Sequence, residues 1–137
     1  MTLSSDERRE WNDFVAASAC GDVLQCWQWG ELKARTGWQP LHFSTRSGGA
    51  LTATALVLKR PIPRTGRCLF YCPRGPIVDY RSPEAVAGIL EEVRRGAREH
   101  RAIALKTDPA VEALTPGVSE NLAAAGMRVP HAGGESF

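Results

Sequence analysis

The side chains best able to meet a ligand fall in two short stretches. In one, Gln25, Trp29 and Lys33 recur at intervals of four, a spacing that would put them on one stripe of a helix with the lysine stem over an indole. Alone, that stripe fits a solvated helix face as readily as a ligand wall. In the other, "YCPRGPIVD" from Tyr71 to Asp79, prolines at 73 and 76 cannot donate backbone hydrogen bonds and Gly75 stands between them, so a strand through Leu69-Phe70-Tyr71 has to stop. Arg74 is thereby displayed on a stiff, kinked segment. Its guanidinium could meet a substrate or simply stand solvated on a turn.

Other chemistries lack their residues. There is no G-x-S-x-G elbow, no P-loop, no H-E-x-x-H and no strand-borne G-x-G-x-x-G, which removes the hydrolase, NTPase and dinucleotide readings. An acyl-CoA enzyme would carry a glycine-rich pyrophosphate turn opening a helix after a strand. The corresponding segment is "YCPRGPIVDYRSP", whose prolines remove amide donors. His42 falls in a strand pattern, His100 at a helix end and His131 in the tail, and none has a nucleophile or orienting carboxylate beside it. Cys20, Cys26, Cys68 and Cys72 do not match paired zinc spacing; Cys68 and Cys72 would share one strand face as packing thiols, and no metal site is expected. The catalytic residues are not legible.

These stretches need a frame to position them. With 137 residues, 43% of them hydrophobic, the chain supports one packed domain. Seventeen Lys and Arg against 15 acidic residues give a net charge of +2, so no overall basic field argues for nucleic acid. The N-terminus is polar and no apolar run approaches the roughly 18 residues that span a bilayer; the expectation is a cytoplasmic protein without an integral membrane segment.

Capping and periodicity predict a helix from about Asp6 to Ala19, stopped at Gly21, and a second from about Cys26 to Thr36 closed by Gly37. "PLHFSTR" and "ALTATALVLK" around Ser47-Gly48-Gly49 read as a hairpin, followed by a loop over residues 61–66 and a third strand, "RCLFYC". Ser82 and Pro83 open a helix with Val86, Ile89, Leu90, Val93 and Ala97 as its apolar stripe and Glu91–Arg95 as an i,i+4 pair. "AIALK" predicts a short buried strand, Pro116 to Ala125 a last helix and "MRV" the start of another strand. Three antiparallel strands, a crossover helix and a fourth, parallel strand predict an α+β, N-acetyltransferase-like (GNAT) fold, a mixed, mainly antiparallel sheet flanked by helices in a single subdomain. The domain is expected over residues 1–130, with 131–137 a flexible tail.

The blocks "LQCWQWGELKARTGWQP", a glycine hairpin, "LFYCPRGPIVDY", a helix and "AIALKTDP", taken in order over about residues 11 to 130, resemble the N-terminal half of the Fem-type peptidoglycan cross-bridge aminoacyltransferases. The resemblance implies transfer of an amino acid from aminoacyl-tRNA, as co-substrate and with no other cofactor, to the peptide of a peptidoglycan precursor, either UDP-muramyl or lipid-linked. It places Lys33 at the precursor's phosphates and Trp29, Tyr71, Arg74 and Gly75 along the same groove. Asp108 matches the family's pattern without a role. Family enzymes are over twice this length and pair two such subdomains, so the resemblance also implies a truncation point near the tail, an exposed apolar patch where the second would pack, and room for a partner chain or dimer. A non-catalytic precursor-binding fragment and a small acyl-CoA-dependent N-acyltransferase are the alternatives.

Overall fold

The structure, a computed structural model, describes residues 5–108. Helix α1 spans Ser5–Ala17, a 3-10 turn follows at Val23–Gln25, and α2 spans Trp27–Lys33, running into a second 3-10 turn at Ala34–Thr36. Strands β1 (Gln39–Ser47), β2 (Ala50–Ile62) and β3 (Arg67–Cys72) precede α3 (Pro83–His100) and β4 (Ala102–Thr107). The sheet order is β1-β2-β3-β4, antiparallel except for the parallel β3–β4 pair. Helix α3 is the crossover that a parallel pair requires.

Strand β2 is the spine. Ala53 to Leu58 are all buried, as expected of a central strand covered on both faces. On one face lies α3, whose Val86, Ile89, Leu90 and Val93 are buried, while Gly96 sits where a β-carbon would stand 2.4 Å from the Phe43 ring. Ser82 caps this helix by accepting from Ala85 N–H at 3.2 Å. On the other face lie α1 and α2, joined over β1 by an aromatic stack. The His42 ring lies parallel to Trp27 at 3.6 Å, with Trp11 edge-on to both.

Several expectations are corrected. Helix α1 ends at Ala17, because Ser18 N–H turns back to Val15 O and the Ser18 hydroxyl to Phe14 O. Gln25 is not on α2: it closes the preceding 3-10 turn and is fully buried, so the Gln25-Trp29-Lys33 stripe keeps only its last two members. Residues 61 and 62, read as loop, belong to β2, which overruns β1 so that Pro61 lies where β2 has no β1 partner to miss its N–H. Glu91 pairs with Arg98 and Arg95 with Glu92, replacing the expected Glu91–Arg95 pair. Strand β4 is not buried: Ile103 is 54% exposed, since β4 has a neighbour on one side only among the described residues. The predicted helix from Pro116 and the "MRV" strand lie outside the described residues.

Candidate functional site

The β2–β3 ladder breaks where "CPRGP" begins. Pairing runs regularly to Leu58–Tyr71 and reappears at a single bridge, Thr54–Ile77, with bonds of 2.8 and 3.0 Å. Between these points three residues of β2 face five on the other side, so the chain bows outward over Cys72–Pro76. The gap is filled from elsewhere. Gln25 Oε1 accepts from Leu56 N–H at 2.8 Å, while its Nε2 donates to Leu56 O at 3.1 Å and to Pro73 O at 2.7 Å. Gly75 lies against this amide so closely that a β-carbon there would stand 2.5 Å from the Gln25 side chain, which explains the glycine between two prolines.

The bowed loop is tied at each end. Arg74 adopts a left-handed conformation, φ 55°, and its N–H donates to Asp108 Oδ1 at 2.8 Å. Its side-chain Nε meets Asp22 Oδ2 at 3.3 Å, while Asp22 Oδ1 caps the 3-10 turn by accepting from Leu24 N–H at 3.0 Å. The Thr107 hydroxyl donates to Cys72 O and Gly75 O, and Tyr80 OH to Pro76 O. Carboxylates at 22 and 108 thus fix the arginine's direction, leaving guanidinium nitrogens beyond Nε for a ligand.

Beside this loop the sheet face next to α2 carries cations paired with rings. Lys33 Nζ stands 5.7 Å from the Trp29 ring centroid, the Arg60 guanidinium 5.1 Å from Trp38 and Lys106 Nζ 5.8 Å from Tyr71. Strand register brings Lys106 opposite Tyr71 and Arg60 opposite Leu69. Trp38 and Tyr71 rings approach to 6.4 Å, and Trp38 N–H bonds to Lys33 O at 3.3 Å, linking the helix wall to the strands. Burial, followed by the nearby Asp108 carboxylate, pushes the Tyr71 hydroxyl above its ordinary range, so it stays protonated as a hydrogen-bond donor. Cations over aromatic faces offer charge to phosphate oxygens and flat apolar surface to a sugar or peptide.

Of the residues singled out from sequence, Tyr71, Arg74 and Gly75 fall in one loop and strand end, Gly75 buried against Gln25 rather than lining open surface, and Trp29 and Lys33 lie on α2. Sequence reasoning missed Asp22, Arg60 and Lys106. A cap signature, Asp22 before Val23-Leu24, was there to be seen; strand alternation from Leu58 would have put Arg60 on the same face. Asp108 acquires a role as the acceptor that sets Arg74. His42 is half-buried against Trp11 and Trp27, and burial lowers its pKa to about 4; His100 Nδ1 meets Lys59 Nζ at 3.0 Å. Burial raises the Cys72 thiol to about 12, so it is no nucleophile. Among the described residues no His, Cys, Asp and Glu group could hold a metal ion, and no helix is long and apolar enough to cross a membrane.

A family model described as the FemAB family matches residues 7–121. The chain is 34% identical over 104 residues to the lipid II:glycine glycyltransferase of Staphylococcus aureus strain MRSA252, an alignment covering 76% of this chain and 25% of that protein. The crystal structure of FemX superposes with a TM-score of 0.82 at 31% identity, covering 92% of this chain and 31% of that one. A Trypanosoma brucei acetyltransferase, 12% identical, shares the fold at a TM-score of 0.61 over 96% of this chain and 93% of its own. The architecture is the acetyltransferase-like α+β fold expected from sequence, and the chain spans about a quarter of the length of the curated relatives it matches.

Proposed function

The chain belongs to the FemAB family, and from that premise we propose that it takes part in peptidoglycan cross-bridge synthesis, in the cytoplasm, as the precursor-binding wall of an aminoacyltransferase. The reaction joins an amine of the precursor's peptide to the carbonyl carbon of an aminoacyl-tRNA ester. The C–N bond forms, the ester C–O bond breaks, the amine gives up a proton and the tRNA hydroxyl regains one. Such a transfer depends chiefly on alignment of amine and ester. The described residues supply positioning: Lys33 and Arg74 for the precursor's phosphates, Trp29 and Tyr71 for its sugar and peptide. Residues beyond this groove, in the same polypeptide or a partner chain, are assigned the tRNA side.

The observation that carries this reading is the row of cation–ring pairs running beside a preset Arg74. The acyl-CoA alternative is weakened at the same place, because four of the loop's positions offer no amide to a pyrophosphate: Arg74 N–H goes to Asp108, Ile77 N–H to Thr54, and Pro73 and Pro76 have none. Calorimetry with a UDP-muramyl pentapeptide and with acetyl-CoA tests it. Binding of the muramyl peptide, weakened about tenfold in Lys33→Ala, is expected for loss of one charge-assisted contact. Binding of acetyl-CoA alone would overturn the reading; precursor binding without transfer from charged tRNA in the full assembly would leave a purely binding role.

A further inference from the structure

At the end of the sheet away from the Arg74 loop, the β2–β3 turn and the step from α3 into β4 meet. Cys68 N–H bonds to Arg101 O at 3.2 Å, and the Arg101 guanidinium lies 3.7 Å from where a β-carbon on Gly66 would stand. Neither 59–69 nor 100–107 contains an acidic residue. Arg64, Arg67 and Arg101 are all exposed here, among exposed Pro61 and Pro63, Leu69 at 40% and Ile103 at 54% exposure.

Two of these arginines occupy left-handed backbone, Arg64 at φ 68° and Arg101 at φ 61°. Glycine or asparagine is less strained in that conformation, so folding does not ask for arginine at either site. Charge at this end of the molecule has another use.

We propose that this end is a docking surface for an anionic lipid bilayer. Guanidiniums meet lipid phosphates, while Leu69, Ile103 and the prolines enter the boundary between headgroups and acyl chains. Charge complementarity alone would also suit RNA, but a phosphodiester backbone leaves the four apolar side chains wet, whereas a bilayer satisfies both halves of the patch. Arg67, Leu69 and Tyr71 follow one another along the open face of β3, which is about 17 Å long at about 3.3 Å per residue. Resting on the precursor reading above, the proposed groove therefore rises from the lipid surface.

The test is co-sedimentation of the full chain with phosphatidylcholine vesicles, with and without phosphatidylglycerol, at low and high salt. The wild type is expected to partition onto the anionic vesicles and to be released by salt. Arg64→Gly, Arg67→Gln and Arg101→Asn together should weaken partitioning about a hundredfold without lowering Tm, since both left-handed sites receive residues suited to them. Leu69→Ser should weaken it severalfold at either salt concentration. Lys33→Ala should partition like the wild type, and absence of muramyl-peptide binding by the wild type with vesicle binding intact defeats only the functional reading. Equal partitioning onto neutral and anionic vesicles, wild-type partitioning by the triple variant, arginine-dependent binding tighter to duplex RNA than to vesicles, or a dimer that the triple variant dissolves would each overturn the proposal.

Discussion

The loop around Arg74 and the helix face carrying Trp29 and Lys33, the two parts of the proposed site, are built in opposite ways. The loop is fixed by polar side chains drawn from two distant parts of the sequence, Asp22 and Gln25 before β1, Thr107 and Asp108 after α3. The wall is a two-turn helix resting on an aromatic stack, with its lysine over a ring. Hydrogen bonds have direction, so the first arrangement presets a guanidinium; apolar stacking has little, so the second can adapt to a bulky ligand.

Breaking the loop should have the largest effect. Gln25→Ala leaves Leu56 N–H, Leu56 O and Pro73 O buried without partners and is expected to destabilise by about 4 kcal/mol, read by urea denaturation; a loss under 1 kcal/mol would mean that the loop does not depend on this amide. Acid should separate the two regions. Burial between Trp11 and Trp27 holds His42 at about 4, below its unfolded value of about 6.5, so between these values the unfolded chain binds a proton that the folded chain refuses. The resulting stability is complete above about pH 6.5 and lost as pH falls to about 4, on the order of 3 kcal/mol, and the α2 wall should loosen before the loop. His42→Phe should flatten that slope in a pH series of thermal melts.

Smaller changes sharpen the contrast. Asp22→Ala removes a cap and an ion pair and should lower stability by about 1 kcal/mol, while also weakening muramyl-peptide binding because Arg74 loses its direction. Lys33→Ala should change stability by less than about 0.5 kcal/mol and act on binding alone. Equal stability losses in these two variants would erase the distinction between a preset loop and an adaptable wall.

What the sequence disclosed follows the range of the forces involved. Helix α3 was legible because cap, proline and apolar stripe all lie within it, and the strand order because hairpin turns and a crossover helix leave few topologies. Gln25 was misread because its spacing to Trp29 and Lys33 is local, whereas the bonds that decide its place reach 31 and 48 residues along the chain. The exposure of β4 escaped because an apolar pentapeptide reads alike in a central and an edge strand. Arg60 and Lys106 became site residues only once strand register set them beside Trp38 and Tyr71. Within the candidate site, the loop was legible as a rigid object and its fasteners were not.

The Gln25 carboxamide is chemically a peptide group carried on a side chain, offering one carbonyl and one N–H donor pair to the bare position of β2 that the departing strand leaves behind. A central strand can thus be cut and rejoined without leaving its neighbour's backbone unpaired. The outward-facing part of the segment over 73–76 is, in consequence, open to change while the sheet beneath stays closed, provided that the glutamine remains to stand in for the missing residue and the glycine packed against it is kept.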